Sequence, residues 1–70
     1  MYQRLRDLRE DKDLKQREVA LYLNCSQRTY SNYELGQRDL PTEVLIKLSQ
    51  YYSVSTDYIL GLTNNPKRYK

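Results

Sequence analysis

Histidine, phenylalanine and tryptophan are absent from this chain, and cysteine occurs once. Without histidine, no side chain shuttles protons near neutral pH unaided, and no imidazole is available to a metal. A lone Cys25 closes no internal disulfide and makes no zinc site by itself. Disulfide-stapled scaffolds and zinc fingers are therefore excluded. Glycine and proline occur twice each, which argues against low-complexity disorder. The longest apolar run, Val19 to Leu23, has five residues, far short of the ~20 a transmembrane helix needs. The opening Met1-Tyr2-Gln3-Arg4 lacks the apolar stretch of a signal peptide. A soluble, cytoplasmic domain is the expectation.

What is present is 70 residues, enough for one domain. A chain of this size buries only ~60% of its unfolded surface. That leaves little room for a catalytic cleft beside a core. No nucleophile–base pair, metal cluster or phosphate-cradling loop is found, so no catalysis, cofactor, metal or small-molecule ligand is expected. Lys and Arg number 12 against 9 Asp and Glu, a formal charge of +3. Lys67, Arg68 and Lys70 supply that excess near the C-terminus. Net charge is thus weak ground for a nucleic-acid partner; the placement of individual charges has to carry it.

The periodicity predicts helices throughout. Leu5 and Leu8 form a stripe on a charged helix from Tyr2 to Asp11. Val19, Ala20 and Leu23 do the same from Gln16 to Leu23. Asn24-Cys25-Ser26 reads as a turn: Asn tolerates left-handed backbone and Ser is a good N-cap. A third helix runs from Gln27 to Leu35 with Tyr30 and Tyr33 inward, and Gly36 closes it. Pro41 stands near the start of a fourth, whose Leu45, Leu48, Ser49 and Tyr52 share a face. Ser55 caps a short fifth, Thr56 to Leu60, ended by Gly61. The expected fold is all-α: a compact five-helix domain over residues 2–61, then a short, loose, basic tail over 62–70.

Two short helices joined by three residues, Gln16 to Leu35, make a helix-turn-helix arrangement. Val19, Leu23, Tyr30 and Tyr33 fill the wedge between them. Ala20 is small because the helices cross beside it. Cys25 acts as a small hydrophobe. Gln27, Arg28, Ser31 and Asn32 fall on the outer face of the third helix. Gln, Asn and Arg are the side chains that read base edges with two hydrogen bonds. Gln16 and Arg17 open the second helix, where backbone N–H groups also suit phosphate.

The chain resembles the Cro/C1-type helix-turn-helix domains of the Xre family of bacterial and phage repressors. The residues that carry the likeness are Leu5-Arg6-Asp7-Leu8-Arg9-Glu10-Asp11-Lys12, Leu14-Lys15-Gln16-Arg17-Glu18-Val19-Ala20, Ser26 to Gly36, and Val54-Ser55-Thr56-Asp57-Tyr58-Ile59-Leu60-Gly61. The resemblance implies a lambda repressor-like fold. It implies base reading by Gln27, Arg28 and Asn32, and phosphate contacts by Gln16, Ser26 and Arg38. With Arg17, Thr29 and Ser31 these make the expected DNA-binding set. It also implies a structural pair between Arg9 and Glu34. Lys15 departs from the usual Ser or Thr cap, so the second helix is expected to lack its capping box with Glu18. Asp13, Asn24 and Ser53 stand where the family often has Gly.

The implied function is sequence-specific binding of double-stranded DNA by a transcriptional repressor, as a homodimer on an inverted repeat. Tyr51 to Leu62 is the expected dimer surface. The alternative is a protein–protein adaptor or antitoxin-like module that kept the fold. The acidic cluster Asp7, Glu10, Asp11 and Asp13 reads as a solvated helix face rather than a metal site. Tyr51 and Tyr58 are open between surface, core edge and dimer contact.

Overall fold

The computed structural model describes residues 2–67. Arg68 and Lys70 of the basic tail lie outside the described residues. Five helices follow in order: α1 (Gln3–Asp11), α2 (Gln16–Tyr22), α3 (Gln27–Leu35), α4 (Thr42–Tyr52) and α5 (Thr56–Ile59). No strand occurs among the described residues. The core is Leu5 from α1, Val19, Ala20 and Leu23 from the α2 region, Tyr30 and Tyr33 from α3, Leu48 and Tyr52 from α4, and Val54 and Ile59 around α5. Each helix therefore buries the stripe its periodicity marks. α2 packs on α3, α4 on α5, and α1 on both α3 and α5.

Every helix ends in the same way. One left-handed residue follows each: Asp13, Asn24, Gly36, Ser53 and Gly61, with φ of 58°, 58°, 73°, 55° and 79°. The next residue then donates its N–H to a carbonyl five residues earlier. The pairs are Leu14 to Arg9 at 3.0 Å, Cys25 to Ala20 at 3.0 Å, Gln37 to Asn32 at 3.0 Å, Val54 to Ser49 at 3.0 Å and Leu62 to Asp57 at 2.9 Å. This satisfies a carbonyl that the last helical turn leaves open. Only two of the five positions are glycine. A non-glycine residue held left-handed costs about 1–2 kcal/mol, least for Asn and Asp.

Three connections share one build. In Asp13-Leu14-Lys15, Asn24-Cys25-Ser26 and Ser53-Val54-Ser55, a left-handed residue precedes an apolar one, which precedes an extended N-cap. Leu14, Cys25 and Val54 pack against or within the core. Ser26 and Ser55 accept from Thr29 N–H at 3.1 Å and Tyr58 N–H at 3.0 Å. Lys15 has no acceptor on its side chain. Glu18 nonetheless accepts from the Lys15 N–H at 3.0 Å, so half of the capping box survives the substitution. Buried Ser49 is explained by the third joint, because its hydroxyl donates to the Val54 carbonyl at 2.6 Å.

Residues 62–66 are strapped to the body, contrary to the expectation of a loose tail from residue 62. Arg4 donates to the carbonyls of Tyr58 at 2.9 Å and Thr63 at 2.7 Å, and to Asn64 Oδ1 at 2.7 Å. Its guanidinium also sits 4.1 Å over the Tyr58 ring. Ser55 N–H donates to the Pro66 carbonyl at 2.9 Å. Tyr58 is thereby half-buried under Arg4, and Tyr51 is half-buried against Tyr22, ring centroids 4.2 Å apart. Ile59 is 1% exposed, so it belongs to the core and not to a dimer surface; Leu60 and Leu62 remain exposed.

Ala20 is 2% exposed on α2, the helix that packs on α3. Ala20→Leu is expected to destabilise the domain by about 1–3 kcal/mol through overpacking. A thermal melt reads this directly; an unchanged Tm would remove Ala20 from the crossing.

Candidate nucleic-acid interface

α3 has two unlike faces. Tyr30, Tyr33 and Glu34 are buried on one. Gln27 and Arg28 are exposed on the other, and Thr29, Ser31 and Asn32 are half-buried beside them. Full exposure of Asn32 is therefore not what the fold provides; its side chain sits partly against the body. Arg17 on α2 and Arg38 after α3 are exposed. Among the described residues, the ion pairs are Arg6 with Glu10 and Arg9 with Glu34. Arg17, Arg28 and Arg38 thus have no carboxylate partner there. On the acidic face of α1, Arg6 meets Glu10 at 3.4 Å and Gln3 meets Asp7 at 3.0 Å.

Ser26 does more than cap α3. Its Oγ accepts from Thr29 N–H and donates to Thr29 Oγ1 at 2.9 Å. That bond uses one of the pair's two hydroxyl protons and leaves the other for a further acceptor. Cys25 is half-buried in the joint, and burial pushes its thiol upward. A thiol so shifted is less often the reactive thiolate.

The inner face of α3 carries a polar centre that α1 and α2 share. Arg9 Nε donates to Glu34 Oε2 at 2.7 Å, and Arg9 Nη2 to Oε1 at 3.3 Å. Arg9 Nη1 also holds the Leu14 carbonyl at 3.1 Å. Gln16 Nε2 donates to Glu34 Oε1 at 3.3 Å. Burial pushes the Glu34 carboxyl upward, but its hydrogen bonds, that to Arg9 foremost, and the Arg9 charge together outweigh burial and hold it below the usual carboxylate range. The hydrogen bond to Glu34 likewise raises Arg9, which stays charged.

Tyr30 and Tyr52 place their hydroxyls beside this centre. Burial pushes Tyr30 well above an ordinary phenol, with Glu34 and Tyr52 adding to the push. Tyr52 is pushed up to about 12, chiefly by burial. Neither hydroxyl reaches a partner in hydrogen-bond geometry. Both phenols therefore stay neutral.

This arrangement meets its counterpart in known proteins. A family profile described as helix-turn-helix matches residues 5–59. The chain belongs to the helix-turn-helix family. The match runs from within α1 to the end of α5, so the Cro/C1 resemblance and the all-α fold stand. Among relatives, the HTH-type transcriptional regulator ImmR of Bacillus subtilis (strain 168) is 47% identical over 58 residues, covering 83% of this chain and 46% of the relative. The uncharacterized HTH-type transcriptional regulator YobD of the same organism is 39% identical over 64 residues, 91% of this chain and 57% of the relative. The cryptic phage CTXphi transcriptional repressor RstR of Vibrio cholerae is 39% identical over 51 residues, 73% of this chain and 46% of the relative. The chain spans about half the length of the curated relatives it matches. No solved structure matches.

Two features of this helix-turn-helix domain carry no signal in spacing. Gln16 reaches Glu34 across 18 positions, and Arg4 reaches its partners across 54 to 60.

Removing one member of the Arg9–Glu34 pair strands the other where its side chain is 14% or 5% exposed. Arg9→Met or Glu34→Met alone is expected to cost about 3 kcal/mol or more, and the double variant less than the sum. A double-mutant cycle by denaturant unfolding measures the coupling; zero coupling would refute it. The depressed Glu34 carboxyl also fixes the sign with pH. Its contribution is complete above the unfolded carboxylate pKa and is lost as pH falls through the folded one. Acid unfolding curves of wild type and Glu34→Met should converge at low pH.

Proposed function

We propose that this chain is a sequence-specific, double-stranded DNA-binding transcriptional regulator, a repressor, acting in the cytoplasm. The observation that carries the reading is the two-faced α3. Its buried side fixes the helix, while Gln27, Arg28 and the half-open Asn32 line the other side. A helix fits the major groove, ~12 Å wide, where each base pair shows a distinct pattern of donors and acceptors. Gln27 and Asn32 suit adenine, and Arg28 suits guanine, because each then makes two hydrogen bonds. Arg17 and Arg38, free of carboxylate partners among the described residues, serve the backbone phosphates, with Gln16, Ser26, Thr29 and Ser31 around them. α2 lies across the backbone as α3 enters the groove. Relatives named as a regulator and as a repressor support the direction of the effect.

Reading and grip separate experimentally. Replacing Gln27, Arg28 or Asn32 by Ala is expected to cost about 1–3 kcal/mol on cognate DNA and little on scrambled duplex. Arg17→Ala and Arg38→Ala should weaken both alike and lower the salt slope by about one unit each. Cognate sites come from selection out of random duplex. Melts accompany the titrations, because Asn32 is half-buried. If no motif is enriched, the protein is an adaptor and not a reader.

One α3 reads few base pairs, so a two-fold homodimer on an inverted repeat completes the reading, with half-site centres about 34 Å apart. Leu60 and Leu62, 39% and 73% exposed, are the apolar side chains offered to it. Sedimentation of the protein with and without cognate duplex tests this; one protomer per duplex would overturn it.

A further inference from the structure

Glu34 serves more than its ion pair. It is 4% exposed, and its Oε1 accepts from both Arg9 and Gln16. An ionised carboxylate only accepts hydrogen bonds. Gln16 must therefore turn its amino group inward and its carbonyl oxygen away. The orientation of a glutamine amide, ordinarily ambiguous, is dictated here by the chemistry of its partner. One N–H of that amino group is used by Glu34, and the other is left over. Arg9 neutralises Glu34, so the centre adds no net negative charge beside the first residue of α2. Holding Gln16 still costs side-chain entropy on folding. The same cost is then absent when Gln16 meets a ligand.

We propose that Glu34 is a positioning residue for DNA binding. It holds the Gln16 carboxamide in one orientation, so that the remaining N–H donates to a backbone phosphate. One carboxylate thus registers the phosphate contact of α2 with the reading face of α3. This rests on Gln16 being a phosphate contact, as proposed above.

The test compares wild type, Gln16→Ala, Glu34→Met and the double variant on the selected cognate duplex, at a temperature where circular dichroism shows each folded. Gln16→Ala is expected to weaken binding about three- to tenfold, the worth of one hydrogen bond. Glu34→Met, which leaves Gln16 no acceptor, should weaken it by a similar factor, and the double variant should bind no worse than Gln16→Ala. An equal loss from Glu34→Met in both backgrounds would mean that Glu34 acts through the fold, and would overturn the proposal. No loss from Gln16→Ala would instead remove the phosphate contact, while the α3 variants report separately on base reading. Should Glu34→Met fail to fold, the wild-type protein still decides. The side-chain amide signals of Gln16 are identified by their loss in Gln16→Ala. One proton should be displaced and slow to exchange in the free protein; the other should move on adding cognate duplex. A neutral methylphosphonate at the contacted phosphate should abolish that movement. Two averaged, fast-exchanging protons in free protein would overturn the proposal.

Discussion

A buried carboxylate that must be satisfied from two other helices sets the geometry of this domain. Leaving Glu34 ionised in the interior costs several kcal/mol unless partners surround it. Arg9 brings α1 to it, and Gln16 brings α2. Its own backbone carbonyl accepts from the Tyr2 N–H at 3.1 Å, which pins the entry of α1 as well. A surface pair of the same residues would contribute ~0–1 kcal/mol and constrain little. Because Glu34 sits on the inner face of α3, satisfying it settles which way the outer face points. The base-reading side chains proposed for that face need no contact among themselves to be correctly aimed.

The core around this centre is built from tyrosine where phenylalanine is the simpler choice. Tyr30 and Tyr52 bury their rings and strand their hydroxyls. Tyr33 is buried at the ring, whereas Tyr22 uses its hydroxyl on the Lys47 carbonyl at 3.3 Å and its ring on Tyr51. The tyrosines divide between pure packing and edge contacts.

Much of the fold was legible because it is local. Leucine stripes, Ser26 and Ser55 as caps, and Gly36 and Gly61 as stops are read within one or two helical turns. Asn24 was legible as a left-handed residue by its chemistry, whereas Ser53 and Asp13 were legible only as family departures from glycine. The Arg9–Glu34 pair came from family likeness, since 25 intervening positions carry no periodic mark. The bonds of Arg4 to residues 58, 63 and 64 were not legible at all, because a long polar side chain near a terminus looks like any solvated one. On α3, periodicity separated inner from outer correctly at Tyr30, Tyr33, Gln27 and Arg28. Ser31 and Asn32, read as outward by the same periodicity, lie at the edge of that face and are half-buried.

The joint between α2 and α3 is one of three copies of the same short turn, with its apolar middle residue sunk into the body and its last residue clamping the next helix. Nothing in it resembles a hinge. The angle between the two helices is therefore set when the chain folds, and encounter with a duplex has no freedom there to remove. Adaptation to DNA of different pitch or groove width must fall on other degrees of freedom: side-chain rotamers on the outer face of α3, bending of the duplex, and the arrangement of one protomer against another. For the DNA binding proposed above, specificity is then a property of the side chains that the frame carries and not of the frame itself.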